Sequence, residues 1–81
     1  MSKTYGYQEV HGSGFPLSTT ICGENRIGAA AKANEAYRRA VNTGCAHGIK
    51  FGTATDDGGF GIKGKTVMTK SWRRYNGNPF K

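Results

Sequence analysis

Residues 35–48 read EAYRRAVNTGCAHG and contain the clearest change of local structure in the chain. The first half is alanine-rich and basic, which favours a helix, and Gly44 is the residue type that often closes a helix. Upstream, Asn25 can cap the first turn, because its side chain can accept from an otherwise unpaired backbone amide. These signals predict one helix over 26–43, followed within three or four residues by a strand.

The buried face of this helix is predicted from apolar residues that recur at three- and four-residue steps. These residues are Ile27, Ala30, Ala33, Tyr37, Ala40 and Val41. Lys32, Glu35, Arg38 and Arg39 fall largely on the opposite side of the helix, so we expect them in solvent. The many alanines allow the helix to lie close to a sheet.

Strand-like segments surround the helix in the sequence. The predicted strands are 4–10, 17–22, 47–55, a short piece around Phe60 and Ile62, and 66–71. Asp56-Asp57-Gly58-Gly59 is a strong hairpin signal, and Gly64-Lys65 is interpreted as a second turn or bulge. The order predicts a single α+β domain over 1–81, in which one helix packs across a face of an antiparallel sheet of about five strands.

The composition points to a basic binding protein. Of the 81 residues, 12 are Lys or Arg and 5 are Asp or Glu, which gives a formal net charge of +7. Such a domain favours phosphate backbones, anionic membranes or acidic protein surfaces as partners. No apolar stretch approaches the ~18 residues of a membrane span, and the N-terminal residues lack the apolar segment of a signal peptide. We therefore expect a cytoplasmic protein without a membrane partner, whose cysteines stay reduced.

The C-terminal residues carry a concentrated positive charge. Between positions 61 and 81 there are six Lys or Arg and no Asp or Glu. Trp72-Arg73-Arg74-Tyr75 interleaves rings and cations, which suits nucleic acid because arginine contacts phosphates and aromatic rings stack on bases. The predicted nucleic-acid-binding residues are Lys63, Lys65, Lys70, Trp72, Arg73 and Arg74. Alternatively, Trp72 and Tyr75 cover the edge of the sheet while the cations are solvated surface.

Residues 59–66 read GFGIKGKT and match the phosphate-binding pattern GxxxxGK[ST]. Nucleotide binding needs this loop between a parallel strand and a helix. The residues that follow the match have the pattern of a strand, and none of the 15 residues after Thr66 is acidic. We interpret the match as a glycine-rich hairpin with Lys63 and Lys65 on its exposed side.

Two cysteines and two histidines are the candidate metal ligands: Cys22, Cys45, His11 and His47. Their spacings fit no zinc finger or ribbon, and the chain has no CxxC pair. A nucleophile–base pair of Cys45 with His47 lacks an obvious group to orient the base or to form an oxyanion site. We therefore expect no metal, no cofactor and no catalysis, with Cys45 filling a helix-to-strand corner.

The spacing EAxRxA-x4-CxHG within 35–48 resembles a family of small phage anti-CRISPR proteins, the type I-F inhibitors. Tyr5, Glu9 and Val10 fit the pattern YxxxEV, which belongs to the same likeness. Together the matched segments cover about a quarter of the chain. The resemblance implies a five-stranded antiparallel sheet with one helix, and a function without catalysis.

The resemblance also implies a partner. Proteins of this family dock on the repeated backbone subunit (Cas7-type) that holds the guide RNA in a CRISPR–Cas surveillance complex of the bacterial host, and they block pairing with target DNA. Arg38 matches a basic contact of the family, and Arg39 can compensate from the next position. Tyr37 and Asn42 stand where the family has lysine, and Gly44 stands where it has glutamine. The implied partner-binding residues are Tyr37, Arg38, Arg39 and Asn42.

Two functions from different classes therefore follow from the sequence. One is a non-enzymatic inhibitor that binds a type I surveillance complex. The other is a small basic protein that binds DNA or RNA, duplex DNA included, directly and without sequence specificity. A partner complex that survives nuclease treatment distinguishes the first function from the second.

Overall fold

The computed structural model describes residues 3–55, 61–75 and 77–80. The elements in chain order are β1 Tyr5–Val10, β2 Pro16–Gly23, α1 Arg26–Thr43, β3 Gly48–Ala54, β4 Ile62–Met68 and a 3-10 segment Thr69–Arg74. The strands form one antiparallel sheet in the order β2-β1-β3-β4. The described part of the chain is therefore α+β with one α-helix, as predicted, but its sheet has four strands rather than about five. None of the helices in these ranges combines the length and apolar character needed to cross a membrane.

Helix α1 begins and ends where the local signals predict. Asn25 is extended, and its Oδ1 accepts from the backbone N–H of Gly28 at 3.1 Å. Gly44 has a φ of 72°, and its N–H donates to the carbonyl of Ala40 at 2.8 Å. Both ends are fixed by short-range contacts, which is why the sequence alone predicts them.

The core lies between α1 and one face of the sheet. The helix presents mainly alanines to the sheet, and the small side chains let the two backbones come close. The sheet contributes Tyr7, Ile49, Phe51 and Val67. The buried helix residues are Ala29, Ala30, Ala33, Ala36, Tyr37 and Ala40.

Two predicted core positions on the helix behave differently from the alanines. Ile27 was expected to be buried, but its side chain is 73% exposed, so that prediction is wrong. Each helical residue turns the chain by about 100°, and Ile27 falls outside the arc defined by the buried residues. Val41 is only partly buried, and it packs against the edge of the core.

The predicted turn or bulge at Gly64-Lys65 is wrong, because β4 continues through it without interruption. Gly64 pairs directly with Gly52 of β3. A Cβ atom at Gly52 would collide with the carbonyl oxygen of Lys63, and one at Gly64 with the carbonyl of Phe51. These glycines therefore serve a close approach of two strands rather than a turn. The predicted hairpin turn at 56–59 lies outside the described residues, as does Phe60.

The predicted last strand, 66–71, ends early. Pairing stops at Met68, and Thr69 begins the 3-10 segment. The backbone N–H and the hydroxyl of Thr69 both donate to the carbonyl of His47, at 2.8 and 3.1 Å. These bonds fix the point where the chain leaves the sheet and crosses toward α1.

Residues 77–80, which we call the C-terminal strap, return along the helix and complete the core. The side-chain amide of Asn78 donates to the carbonyl of Ala30 at 2.9 Å, and its Oδ1 accepts from the backbone of Phe80 at 2.8 Å. Phe80 is 6% exposed, and its ring centroid is 5.8 Å from those of both Tyr37 and Phe51. The strap therefore closes the core between α1 and the sheet.

Candidate functional site

A cavity of about 200 Å³ lies between the C-terminal half of α1 and the residues that follow the sheet. The helix lines it with Asn34, Tyr37, Arg38, Val41 and Asn42. The opposite wall is made by Trp72, Tyr75 and Gly77. The cavity thus brings together three of the four predicted partner-binding residues and the tryptophan of the predicted nucleic-acid-binding group.

Tyr37 belongs to the core as well as to the cavity wall. It is 3% exposed, and its hydroxyl donates to the carbonyl of Met68 at 2.9 Å. Burial raises the pKa of this hydroxyl, and the neighbouring Tyr75 raises it further. Tyr37 therefore remains a neutral donor that ties the helix to the end of β4, and little of it is accessible to a partner.

Arg38 and Arg39 are both exposed but point in different directions. Arg38 lines the cavity together with Asn42, one helical turn later. Arg39 is turned by about 100° around the helix axis, toward the side of Thr43, whose hydroxyl donates to the Arg39 carbonyl at 2.7 Å. The two arginines therefore lie on two adjacent stripes of the helix rather than at one contact point.

Trp72 combines an apolar surface with a neighbouring cation. Its side chain is 47% exposed although it lies beside the helix. The guanidinium carbon of Arg73 is 5.5 Å from the centroid of the Trp72 rings, within cation–π distance. Lys70 and Arg74 are exposed on the same 3-10 segment. A large exposed ring with cations beside it is the arrangement that single-stranded nucleic acids contact.

The remaining two predicted nucleic-acid-binding residues lie elsewhere. Lys63 and Lys65 are exposed on β4, at an edge of the sheet. Lys65 lines a separate cleft of about 310 Å³, together with Arg26, Phe51, Pro79 and Phe80. The predicted group of six therefore divides into a set on the 3-10 segment and a pair on β4. Lysines on an edge strand also oppose pairing with another sheet, which is a structural role.

Asn34 is the residue of the cavity that the sequence analysis missed. Its Oδ1 is buried and has no hydrogen-bond partner among the described atoms. A buried acceptor without a donor costs about 1–3 kcal/mol. The helical spacing of Asn34 with Arg38, Val41 and Asn42 was the available signal, since these residues lie on one stripe of α1.

In the described part of the chain, the cysteines and histidines do not form a metal site. Among these residues, no group of three or more His, Cys, Asp or Glu could hold an ion. His11 and His47 do meet, with ring centroids 4.8 Å apart in an edge-to-face contact. Burial raises the pKa of the partly buried Cys22 thiol, and the charge of Lys32 opposes this rise. Cys45 is exposed, so it does not fill the corner as predicted, and its N–H donates to Thr43 Oγ1 at 3.3 Å.

The GxxxxGKT match is not followed directly by a helix, because β4 continues to Met68. Its last five residues lie inside β4, which runs antiparallel to β3. Backbone amides of a paired strand are used in the sheet, and they do not converge on a phosphate as those at a helix N-terminus do. The interpretation of 66–68 as strand is confirmed.

No protein-family model, curated protein or solved structure matches the chain. The residues that bear on function are therefore those of 35–48 and the exposed surface of α1 and the 3-10 segment.

Proposed function

We propose that this protein is a non-enzymatic inhibitor that binds a type I CRISPR–Cas surveillance complex in the cytoplasm of a bacterial host and blocks the binding of target DNA. The observation that carries the proposal is the exposed basic surface on the C-terminal half of α1. Arg38 and Arg39 lie there on adjacent rows of the helix, with Asn42 beside them. This surface coincides with the segment that resembles the anti-CRISPR family.

The mechanism follows from charge and position. A surface that accepts target DNA is basic and repels a protein with a net charge of +7, so docking requires acidic side chains beside the DNA path, to which the protein can be steered. Arginine makes bidentate, charge-assisted hydrogen bonds with carboxylates, so Arg38 and Arg39 can anchor the protein. Once docked, the inhibitor occupies the path that DNA would follow and needs no bond-making step.

A rigid presentation of the helix supports this docking. The alanine face of α1 is buried against the sheet, and Tyr37 ties the helix to Met68. The helix ends at Gly44 with its last carbonyls partly satisfied by the cap. Because the backbone under Arg38 and Arg39 is fixed, only their side chains lose freedom on binding.

The second candidate function is direct binding of duplex DNA or RNA without sequence specificity. The observation in its favour is the 3-10 segment, where Lys70, Arg73 and Arg74 are exposed around the half-exposed Trp72. Such binding would come from phosphate contacts and counterion release, so it must weaken steeply as salt rises.

Charge reversal on the helix tests the docking surface. The double variant Arg38→Glu with Arg39→Glu should weaken binding to a type I-F surveillance complex by about 2 kcal/mol or more, or roughly 30-fold. The control is Arg26→Glu with Lys32→Glu, which changes the net charge equally on exposed positions of the same helix. The control should retain binding within a few-fold. Equal losses in the two double variants would show that only net charge matters, against a specific docking surface.

Nuclease treatment distinguishes the two functions. Protein immobilised on a resin is mixed with host lysate, with and without nuclease that digests accessible DNA and RNA. Recovery of the complex after digestion supports docking on protein. Loss of every partner after digestion supports the direct nucleic-acid function and contradicts the inhibitor proposal.

A further inference from the structure

The cavity between α1 and the 3-10 segment has the size of a site for one ring. Engineered cavities of about 150 Å³ in protein cores admit benzene, and drug-sized ligands need about 300–1,000 Å³. At about 200 Å³ the cavity is too small for a dinucleotide, but it suits one planar heterocycle. Trp72, in the wall of the cavity, is 47% exposed to solvent.

The lining of the cavity combines three kinds of group. Trp72 and Tyr75 supply aromatic surface, and Arg38 supplies a cation beside it. Asn34 supplies a buried oxygen that lacks a donor. The terminal torsion of an asparagine side chain is soft, so the amide can turn its oxygen toward a bound group.

We propose that this cavity binds a single unpaired nucleobase of a single-stranded nucleic acid. The base stacks on Trp72, and an N–H on its edge donates to Asn34 Oδ1. The flanking phosphate contacts Arg38 from the helix, and Arg73 from the 3-10 segment contacts the next one. A duplex is excluded, because a paired base exposes neither its face nor its Watson–Crick edge.

The charge and the polarity of the site favour this occupant over a protein side chain. A hydrophobic side chain would leave Asn34 unpaired, and a lysine or arginine would meet the positive field of Arg38 and Arg73. A base satisfies the orphan acceptor while its phosphates neutralise the arginines. The cavity shares Arg38 and Asn42 with the proposed docking surface. Oligonucleotide binding by the free protein, without a surveillance complex, tests the cavity separately from docking.

Trp72 is the single tryptophan of the chain, so its fluorescence reports on the cavity directly. The purified protein is titrated with a short single-stranded oligonucleotide, the same sequence as a duplex, and an abasic oligonucleotide of equal charge. Stacking should quench the fluorescence only with the intact single strand. Its affinity should exceed that for the abasic strand by about tenfold or more, since stacking of one base contributes on that scale.

Variants assign the effect to the cavity. Asn34→Leu keeps Trp72 and should weaken binding of the intact strand several-fold, without changing the affinity for the abasic strand. Arg38→Gln should reduce the slope of log K against log salt by about 1, as expected for one lost phosphate contact. Lys32→Gln removes one helix charge without altering a residue of the cavity, and it should leave the quenching intact.

Several results would overturn the proposal. Equal affinity for intact and abasic strands would mean that only phosphates are bound. Quenching by the duplex that equals that of the single strand would exclude capture of an unpaired base. If Asn34→Leu binds the intact strand as tightly as the wild type does, Asn34 Oδ1 does not bind the base. If the wild type binds no oligonucleotide and Asn34→Leu no longer docks on the surveillance complex, the cavity takes a protein side chain instead.

Discussion

Replacing Phe80 by alanine should unfold the protein at markedly lower denaturant concentration, although the residue is next to the C-terminus. Phe80 is 6% exposed and packs against both Tyr37 and Phe51 with centroid distances of 5.8 Å. Burial of a Phe side chain is worth about 1.5–3 kcal/mol, and an aromatic pair adds about 0.5–1.5 kcal/mol. Because the C-terminal strap can shift to close part of the gap, we expect a loss of about 3 kcal/mol, the low end for Phe→Ala.

Urea denaturation followed by circular dichroism measures this loss. A chain of this length has a total stability of about 4–12 kcal/mol, so the change is a large fraction of it. The control is Phe15→Ala, the same substitution at a residue that is 68% exposed, which should change stability by less than about 0.5 kcal/mol. A loss below about 1 kcal/mol for Phe80→Ala would refute the idea that the strap is part of the core.

Two further substitutions test the sheet and the helix anchor. Gly52→Ala should lower the free energy of unfolding in urea by about 1–3 kcal/mol, because the added Cβ would collide with the carbonyl of Lys63. The control is Gly12→Ala, whose Cβ would lie 3.6 Å from the nearest ring atom of His47, and it should change the free energy of unfolding very little. Equal costs would contradict the close approach of β3 and β4. Because the raised pKa of Tyr37 means that the folded state holds this proton more tightly than the unfolded chain, the contribution of Tyr37 to the unfolding free energy should be constant below about pH 10 and fall above it. Tyr37→Phe should remove the part of that fall due to Tyr37, and an unchanged pH profile would contradict the assignment.

The helix could be predicted residue by residue because its signals are local. Asn25 and Gly44 act on amides and carbonyls within four residues of themselves, so they need no knowledge of the rest of the fold. The side of the helix that is buried was predicted less accurately. Ile27 is apolar and fits the spacing, but it lies outside the buried arc. Apolar spacing gives a helix period, but the orientation of the helix depends on what packs against it.

The sheet of the described residues has four strands rather than the predicted number of about five, because glycine occurs both in turns and where two strands approach closely. Gly64 has the sequence properties of a turn, but it faces Gly52 across the sheet, and that partner is 12 residues away. Thr69 is β-branched and was predicted in a strand, and its N–H still donates to His47, the next residue in the β3–β4 register, but the chain turns there into the 3-10 segment. Only the tertiary structure shows which use of each residue is realised.

The sequence singled out several residues of the candidate site, but it did not predict that they lie together. Arg38, Asn42 and Trp72 were each singled out from the sequence, but as two separate surfaces. Their meeting in one cavity depends on the turn of the chain after Met68 and on the return of the C-terminal strap. Asn34 was missed because an asparagine in a helix carries no signal of its own until its oxygen is seen to lack a donor.

We propose that this protein prevents a surveillance complex from binding its target DNA. The direct measurement is the affinity of a purified type I-F surveillance complex for labelled target duplex, at increasing concentrations of this protein and at physiological salt. We expect DNA binding to be lost in a saturable manner, with the loss abolished by Arg38→Glu with Arg39→Glu and retained by Arg26→Glu with Lys32→Glu. Unchanged DNA affinity at saturating wild-type protein would contradict the proposed function.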